Sequence, residues 1–201
     1  KILTSIGLEV ESMEAYESIK GGLKGVVAGE VIECMPHPNA DKLKVTKVDI
    51  GKGGPLKVVC GASNVAAGQK VLVATVGTTL YPSGGEPITI KAAKIRGEES
   101  QGMICAEDEI GIGHSHDGIM VLSPEVQAGT EASELFQPYT DIIFEIGLTP
   151  NRMDAMSHLG VARDVCAYLA YHERKDVRPV SPFSNTFKVE GRSLPMNVTI
   201  E

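Results

Sequence analysis

The residues most suggestive of chemistry are two histidines, four cysteines, an Arg/Asp cluster and a short run of cations. His114-Ser115-His116-Asp117 sets two imidazoles at i and i+2 in a glycine-flanked loop. Such a pair can share a metal ion, but a tetrahedral site needs further ligands. His37 and Cys34 are the other candidates of the right type, and nothing in the sequence brings them near, so no metal site is expected. Cys34, Cys60, Cys105 and Cys166 are widely spaced, form no C-x-x-C pair and sit in apolar contexts such as VVCGA and MICAE. They read as buried free thiols of a reducing cytosol, not as a disulfide framework. Arg152, Asp154 and Arg163 could form a charged site. Helix capping by Asp154, with the arginines paired to carboxylates or carbonyls, accounts for the same residues. No phosphate-binding G-x-x-x-x-G-K-[ST], G-x-S-x-G or H-E-x-x-H string occurs, so no catalytic residue is expected within these 201 residues.

The cations carry a different possibility. With Ile90 and Ile95 facing inward, Lys91, Lys94 and Arg96 project outward beside a Ser100-Gln101-Gly102-Met103 turn. Lys and Arg would take phosphates, Ser100 could bond a base or ribose, and Met103 could pack on a base face. The same residues also read as a solvated strand face with Met103 in the core. Net charge is −7, and residues 25–122 carry nine Lys/Arg against eleven Asp/Glu. A general nucleic-acid binder is therefore excluded, and any contact must use a local patch and shape. Only Tyr81 is aromatic between residues 25 and 122, so a platform of stacked aromatics is missing as well.

The elements that must hold these residues are mostly strands. Apolar residues make up 42%, enough for a packed core, and 22 glycines suit short strands joined by tight turns. Strands are predicted at 25–34, 43–50, 56–60, 70–76 and 88–95. Gly29 marks a sharp bend in the first. The second changes apolar parity, which predicts a bulge near Thr46-Lys47, and the last changes parity at Ala92-Ala93. His37-Pro38-Asn39-Ala40-Asp41-Lys42-Leu43 is a turn between the first two strands. Five short bent strands suit a small closed Greek-key barrel of the OB type, with an SH3-like barrel also open. A short helix is expected at 130–136, a strand at 141–147 and a helix at about 154–171, with Asp154 and Ser157 as N-caps and Leu159, Ala162, Val165, Cys166 and Leu169 as its apolar stripe. Residues 178–182 read as an extended linker. Lys1 in place of Met, and Glu201 at the end of an apparent strand over 196–200, suggest a piece of something longer. No apolar run approaches the roughly 20 residues that span a membrane.

Three segments, HPNADKLKV, VVCGASNV and IKAAKIRGEESQGMICAEDEIGI, occur in an order that resembles the tRNA-binding domain shared by several aminoacyl-tRNA synthetases and free-standing tRNA-binding proteins. The resemblance implies an OB-fold over residues 25–122 that can meet tRNA. Its matching contact positions would be Lys42 or Lys44 after the first loop, and Ser100, Gly102 and Met103 in the turn. Flanking strings widen the resemblance. Gly7-Leu8-Glu9-Val10-Glu11 precedes the barrel; Thr149-Pro150-Asn151-Arg152-Met153-Asp154 and His158-Leu159-Gly160-Val161-Ala162-Arg163-Asp164 follow it. These are similar to the bacterial phenylalanyl-tRNA synthetase β-subunit family, in which Asn151, Arg152, Asp154 and Arg163 would be structural motif residues.

That resemblance implies an α+β fold, a five-stranded OB-fold barrel inserted into a small α/β domain. Residues 1–24 with 141–186 would form the small discontinuous domain, 25–122 the barrel, 123–140 a connector and short helix, and 187–201 the start of the next domain. The parent enzyme would be a cytoplasmic α2β2 heterotetramer attaching phenylalanine to tRNA-Phe with ATP and Mg2+. This region would make a weak or auxiliary contact with tRNA-Phe and serve as a scaffold within the enzyme, whose other subunit is α, with no cofactor of its own. Two other readings stay open: a free-standing tRNA-binding OB protein, and a structural module that meets neighbouring subunits and not tRNA.

Overall fold

The computed structural model describes residues 1–181. The linker's last residue, Pro182, the expected strand at 196–200 and the expected start of a further domain at 187–201 lie outside the described residues. In chain order the elements are α1 (Ile2–Ser5), β1 (Glu9–Glu17), β2 (Val26–His37), β3 (Ala40–Asp49), β4 (Leu56–Cys60), β5 (Lys70–Thr75), β6 (Thr79–Leu80), β7 (Ile88–Thr89), β8 (Ala93–Ile95), β9 (Glu98–Ser100), β10 (Gly102–Ile104), β11 (Val121–Leu122), α2 (Ala132–Phe136), β12 (Thr140–Gly147) and α3 (His158–His172). Two compact units divide the chain: Ala15–Ile142, and Lys1–Glu14 together with the described residues from Ile143 onward. β1 pairs with β12 in a two-stranded sheet.

The larger unit is an antiparallel barrel with strand order β10-β5-β2-β3-β4. β2 is shared between two partners. Its first half, Val26–Glu30, pairs with β5, and Glu30–His37 pairs with β3. A strand shared this way must curve as it passes from one partner to the other in a closing sheet, and Gly29 sits next to that handover. A Cβ there would lie 2.7 Å from Val48 Cγ1 and 3.2 Å from the Asp49 carbonyl oxygen. The bulge comes elsewhere than the sequence suggests. It falls in β2, where the register skips Ile32 between Val31 and Glu33, and not in β3 at Thr46-Lys47. β3 absorbs its parity change by burying Val45, Thr46 and Val48, with the Thr46 hydroxyl donating to the Val58 carbonyl at 2.8 Å.

β5 explains why one strand reads as an unbroken apolar run. Val71 and Val73 face the barrel interior with Val31, Val48, Val58 and Ile104. Leu72 and Ala74 face a second layer with Val26, Leu80, Ile90, Cys105 and Ala132 of α2. A strand buried on both faces has no polar side to alternate with. Fully burying a Leu of this kind stabilises by roughly 1.5–3 kcal/mol.

The predicted strand over 88–95 is divided. Ile88–Thr89 pairs with Thr79–Leu80, and Ala93–Ile95 pairs with Glu98–Ser100. Ile90 between them is buried, which turns the chain inward and breaks the run. The barrel's fifth strand is instead Gly102–Ile104, antiparallel to Thr75–Val73.

In the smaller unit Ser157 caps α3, its hydroxyl accepting from the Gly160 amide at 3.4 Å. Asp154 lies before that cap, in a short 3-10 turn, Met153–Ala155. The expected helix start at Asp154 therefore shifts to His158. The described helices include none long and apolar enough to cross a membrane.

Candidate nucleic-acid interface

Nucleic-acid-binding OB barrels use the face of the second and third strands with the loops joining strands one to two and four to five. Here those strands are β3 and β4, and the loops are the Pro38-Asn39 turn and residues 76–101. The two loops are bonded to each other. His37 is buried, and its Nδ1 accepts from the Asn39 amide at 3.0 Å. That leaves Nε2 as the protonated nitrogen, 3.1 Å from the Ile95 carbonyl oxygen to which it donates. The Asn39 side-chain amide donates to the Arg96 carbonyl at 3.3 Å. Sequence reading found the turn but not this tether, because the partners are 58 and 57 residues apart.

Ile95 and Glu98 pair across a two-residue turn, Arg96-Gly97, whose φ values are 47° and 102°. Two positive φ values define the hairpin turn that prefers Asn-Gly. Arg96 in its first position carries a left-handed cost of roughly 1–2 kcal/mol. Lys42, Lys91, Lys94 and Arg96 are all exposed. Lys94 stands opposite Glu99. Lys57 of β4 forms an ion pair with Glu98, and its ammonium holds the Glu98 carboxyl below the usual carboxylate range. Lys57, Lys94, Gly97, Glu98 and Glu99 help line a groove of about 520 Å³.

Other sequence candidates have structural work. Lys44 is half-buried, and its ammonium donates to the carbonyls of Ser63 at 2.9 Å and Val65 at 2.7 Å, tying β3 to the loop after β4. Ser100 is 3% exposed. Its hydroxyl accepts from the Val59 amide at 3.1 Å and donates to the Gly102 carbonyl at 3.0 Å. The Gln101 amide donates to the Lys57 carbonyl at 2.8 Å. The expected contact turn therefore staples β4 to the last strand, and Ser100 has no free hydroxyl to offer a base. Gly102 is buried with no room for a side chain, a Cβ there falling 2.9 Å from the Ala74 carbonyl oxygen. Met103 is half-buried against the second core layer.

At another place on the barrel, a cavity of about 530 Å³ is lined by Cys60–Ser63, Met103, Glu109 and His116–Ile119. Its carboxylates disfavour phosphate. His116 Nδ1 lies 2.9 Å from Asp108 Oδ2, which raises the imidazole pKa. His114 and His116 join no group of three or more metal-ligating residues among the described residues. Burial pushes the Cys60 thiol up, and the Cys105 thiol up to about 12.

In the smaller unit Arg152 is bidentate to Asp154, at 3.2 and 3.1 Å, also pairs with Asp164, and donates to the Ile6 carbonyl at 3.4 Å. These carboxylates raise the guanidinium pKa further, and Arg152 in turn lowers that of Asp154. Asn151 and Arg163 are exposed. Arg152 thus ties together the turn before α3, the helix itself and the N-terminal segment.

A nearly closed five-stranded antiparallel barrel of this kind is an OB-fold, in an α+β chain. Residues 26–131 match the family model described as "Putative tRNA binding domain", and the chain belongs to that family. Over nearly its whole length it is also similar to phenylalanine–tRNA ligase beta subunits. The subunit from Bacteroides fragilis is 54% identical over 99% of this chain. That from Porphyromonas gingivalis is 56% identical over 83% of it, and that from Salinibacter ruber 51% over 82%. The chain spans 24%, 20% and 21% of these relatives' own lengths, respectively.

Proposed function

We propose that this chain is the tRNA-contacting and scaffolding part of a phenylalanine–tRNA ligase beta subunit. The observation that carries the reading is similarity at 54% identity over 99% of the chain, flanks as well as barrel. A free-standing tRNA-binding barrel would need only the barrel. In this reading the whole enzyme is a cytoplasmic α2β2 ligase that joins phenylalanine to tRNA-Phe using ATP and Mg2+ bound outside this region. Residues 1–24 with the described residues from 141 onward form the small domain that carries the barrel of 25–122, with 123–140 as the connector. The proposed RNA contacts are Lys42, Lys91, Lys94 and Arg96, all exposed, while half-buried Met103 belongs with Ser100, Gly102 and Lys44 in the barrel behind them. Ser100, Gly102 and Lys44 shape the barrel that presents them, and Asn151, Arg152, Asp154 and Arg163 belong to the structural motif of the small domain.

The test is titration of the chain with tRNA-Phe and with an unrelated tRNA at several salt concentrations, followed by fluorescence anisotropy. Saturable binding that weakens with salt is expected. Combining Lys91→Ala and Lys94→Ala should lower the slope of log affinity against log salt by about 2 × 0.9 units, if each lysine neutralises one phosphate. An absence of binding at low salt would refute RNA contact by this barrel and leave scaffolding of neighbouring subunits as its role.

A further inference from the structure

The observation least explained by barrel stability alone is the pair of facing two-residue turns. One carries His37 and Asn39; the other carries Arg96 in a left-handed conformation. We infer that His37 and Asn39 are positioning residues for RNA contact, latching the Arg96-Gly97 turn to the barrel so that Lys94 and Arg96 meet a phosphate backbone at a fixed place. The inference rests on the proposed RNA contact of this rim.

Three features argue for it. The latch acts on the backbone of the turn and leaves the cationic side chains outside: Nε2 of His37 donates to the Ile95 carbonyl, the Asn39 amide donates to the Arg96 carbonyl, and Arg96 and Lys94 stay exposed. The ring is fixed in one tautomer, since the Asn39 backbone amide occupies Nδ1. The latched strand is only three residues long and pairs with another of three that is anchored to β4 at its base, so the latch is what holds the tip of the hairpin. Held cations retain more of their phosphate attraction than cations on a wandering loop, because the ordering entropy is lost at folding and not at binding.

Two substitutions separate the halves of the latch. In His37→Gln the side-chain amide reaches the level of Nε2 and can still donate to Ile95. In His37→Asn the side chain ends at the level of Nδ1, keeps the turn bond to Asn39 and cannot reach Ile95. Three readouts apply to the intact chain: the His37 tautomer by nitrogen-15 NMR, hydrogen exchange of the 96–99 amides, and anisotropy with a tRNA-Phe transcript. The wild type should show the Nε2–H tautomer. His37→Asn should speed exchange at 96–99 and weaken tRNA binding about fivefold, the worth of one net hydrogen bond, while His37→Gln stays within about twofold of wild type. Equal affinities for the two variants, whether both unchanged or both reduced together with thermal stability, would overturn the inference. The underlying reading fails separately. If Lys94→Ala with Arg96→Ala leaves tRNA affinity unchanged while exchange still reports the latch, these cations do not meet RNA, and the positioning role falls with them.

Discussion

The imidazole of His37 donates across 3.1 Å to the carbonyl of Ile95, which joins the first hairpin turn of the barrel to the long loop before its last strand. That bond lies where an OB barrel meets its ligand, and it ties together two loops that the chain lists 58 residues apart. Below it, Ser100 and Gln101 fasten the same loop to β4. The rim cations are thus mounted on a segment held at two points, the latch at its tip and the staple at its base.

Removing the staple should cost stability more than RNA affinity. Ser100→Ala, at a side chain only 3% exposed, leaves the amide of half-buried Val59 without its partner. An unpaired buried donor costs about 1–3 kcal/mol. Urea denaturation should show a lower midpoint with an unchanged slope, the midpoint shift multiplied by the slope giving that loss. tRNA affinity measured well below the transition should stay within about twofold, since the hydroxyl faces protein and no cation is removed. A loss of affinity as large as that of the Lys91/Lys94 double variant would make Ser100 a direct contact after all.

Some of this architecture was legible in the chain and some was not. Leu56–Cys60 and Lys70–Thr75 are found where the sequence predicts strands, but that Lys70–Thr75 is buried on both faces shows only in the fold. Gly29 marks its own bend. Failure came where a strand is too short to show a period. Gly102–Ile104 closes the barrel with three residues, whereas the longer run over 88–95 looks more like a strand but bends inward at Ile90. The bulge was placed on the wrong partner because either strand of a pair can absorb one extra residue. At the candidate site, the exposed cations were readable from their spacing. The commitments of Lys44 and Ser100 were not, since each bonds backbone groups fixed only by folding.

The thiols should divide by burial. Cys105 is fully buried with its pKa pushed up to about 12, and Cys60 is raised by the same desolvation. The thiolate is the reactive form. Native protein treated with a disulfide reagent at pH 8 should label at Cys34 and Cys166, which are partly exposed, and spare Cys60 and Cys105 until denaturant is added. Peptide mapping reads the order. Labelling of Cys105 at the rate of Cys166 would show that the second core layer opens.

The pH dependence of the His116–Asp108 pair has a definite sign. Asp108 raises the His116 pKa above the ordinary value of about 6.5. Its stabilising contribution is therefore fully present below the unfolded-state pKa and is lost as pH rises through the folded one. An NMR titration of the ring proton should place the midpoint above 6.5, and Asp108→Asn should bring it down. His116 is largely exposed, so the effect on melting temperature should be small and should shrink with salt. A midpoint unmoved by Asp108→Asn would mean that the pair does not form in solution.

Gly29→Ala tests whether the shared strand must bend where it does. The added methyl would lie 2.7 Å from Val48 Cγ1, 3.1 Å from Val73 Cγ2 and 3.2 Å from the Asp49 carbonyl oxygen. Two of these neighbours are side-chain methyls that can shift, but the third is backbone of the paired strand. Overpacking of this kind costs about 1–3 kcal/mol. Adding Val48→Ala removes the nearest clash and leaves the carbonyl, so the double variant should be more stable than the sum of the two single losses predicts, by about 0.5 kcal/mol or more. Strict additivity would mean that the methyl is accommodated without touching Val48, and that the bend is set by the bulge at Ile32. In that case Glu33 and Lys47, bonded at 2.9 Å just past the bulge, would be the better place to look for what curves this strand pair.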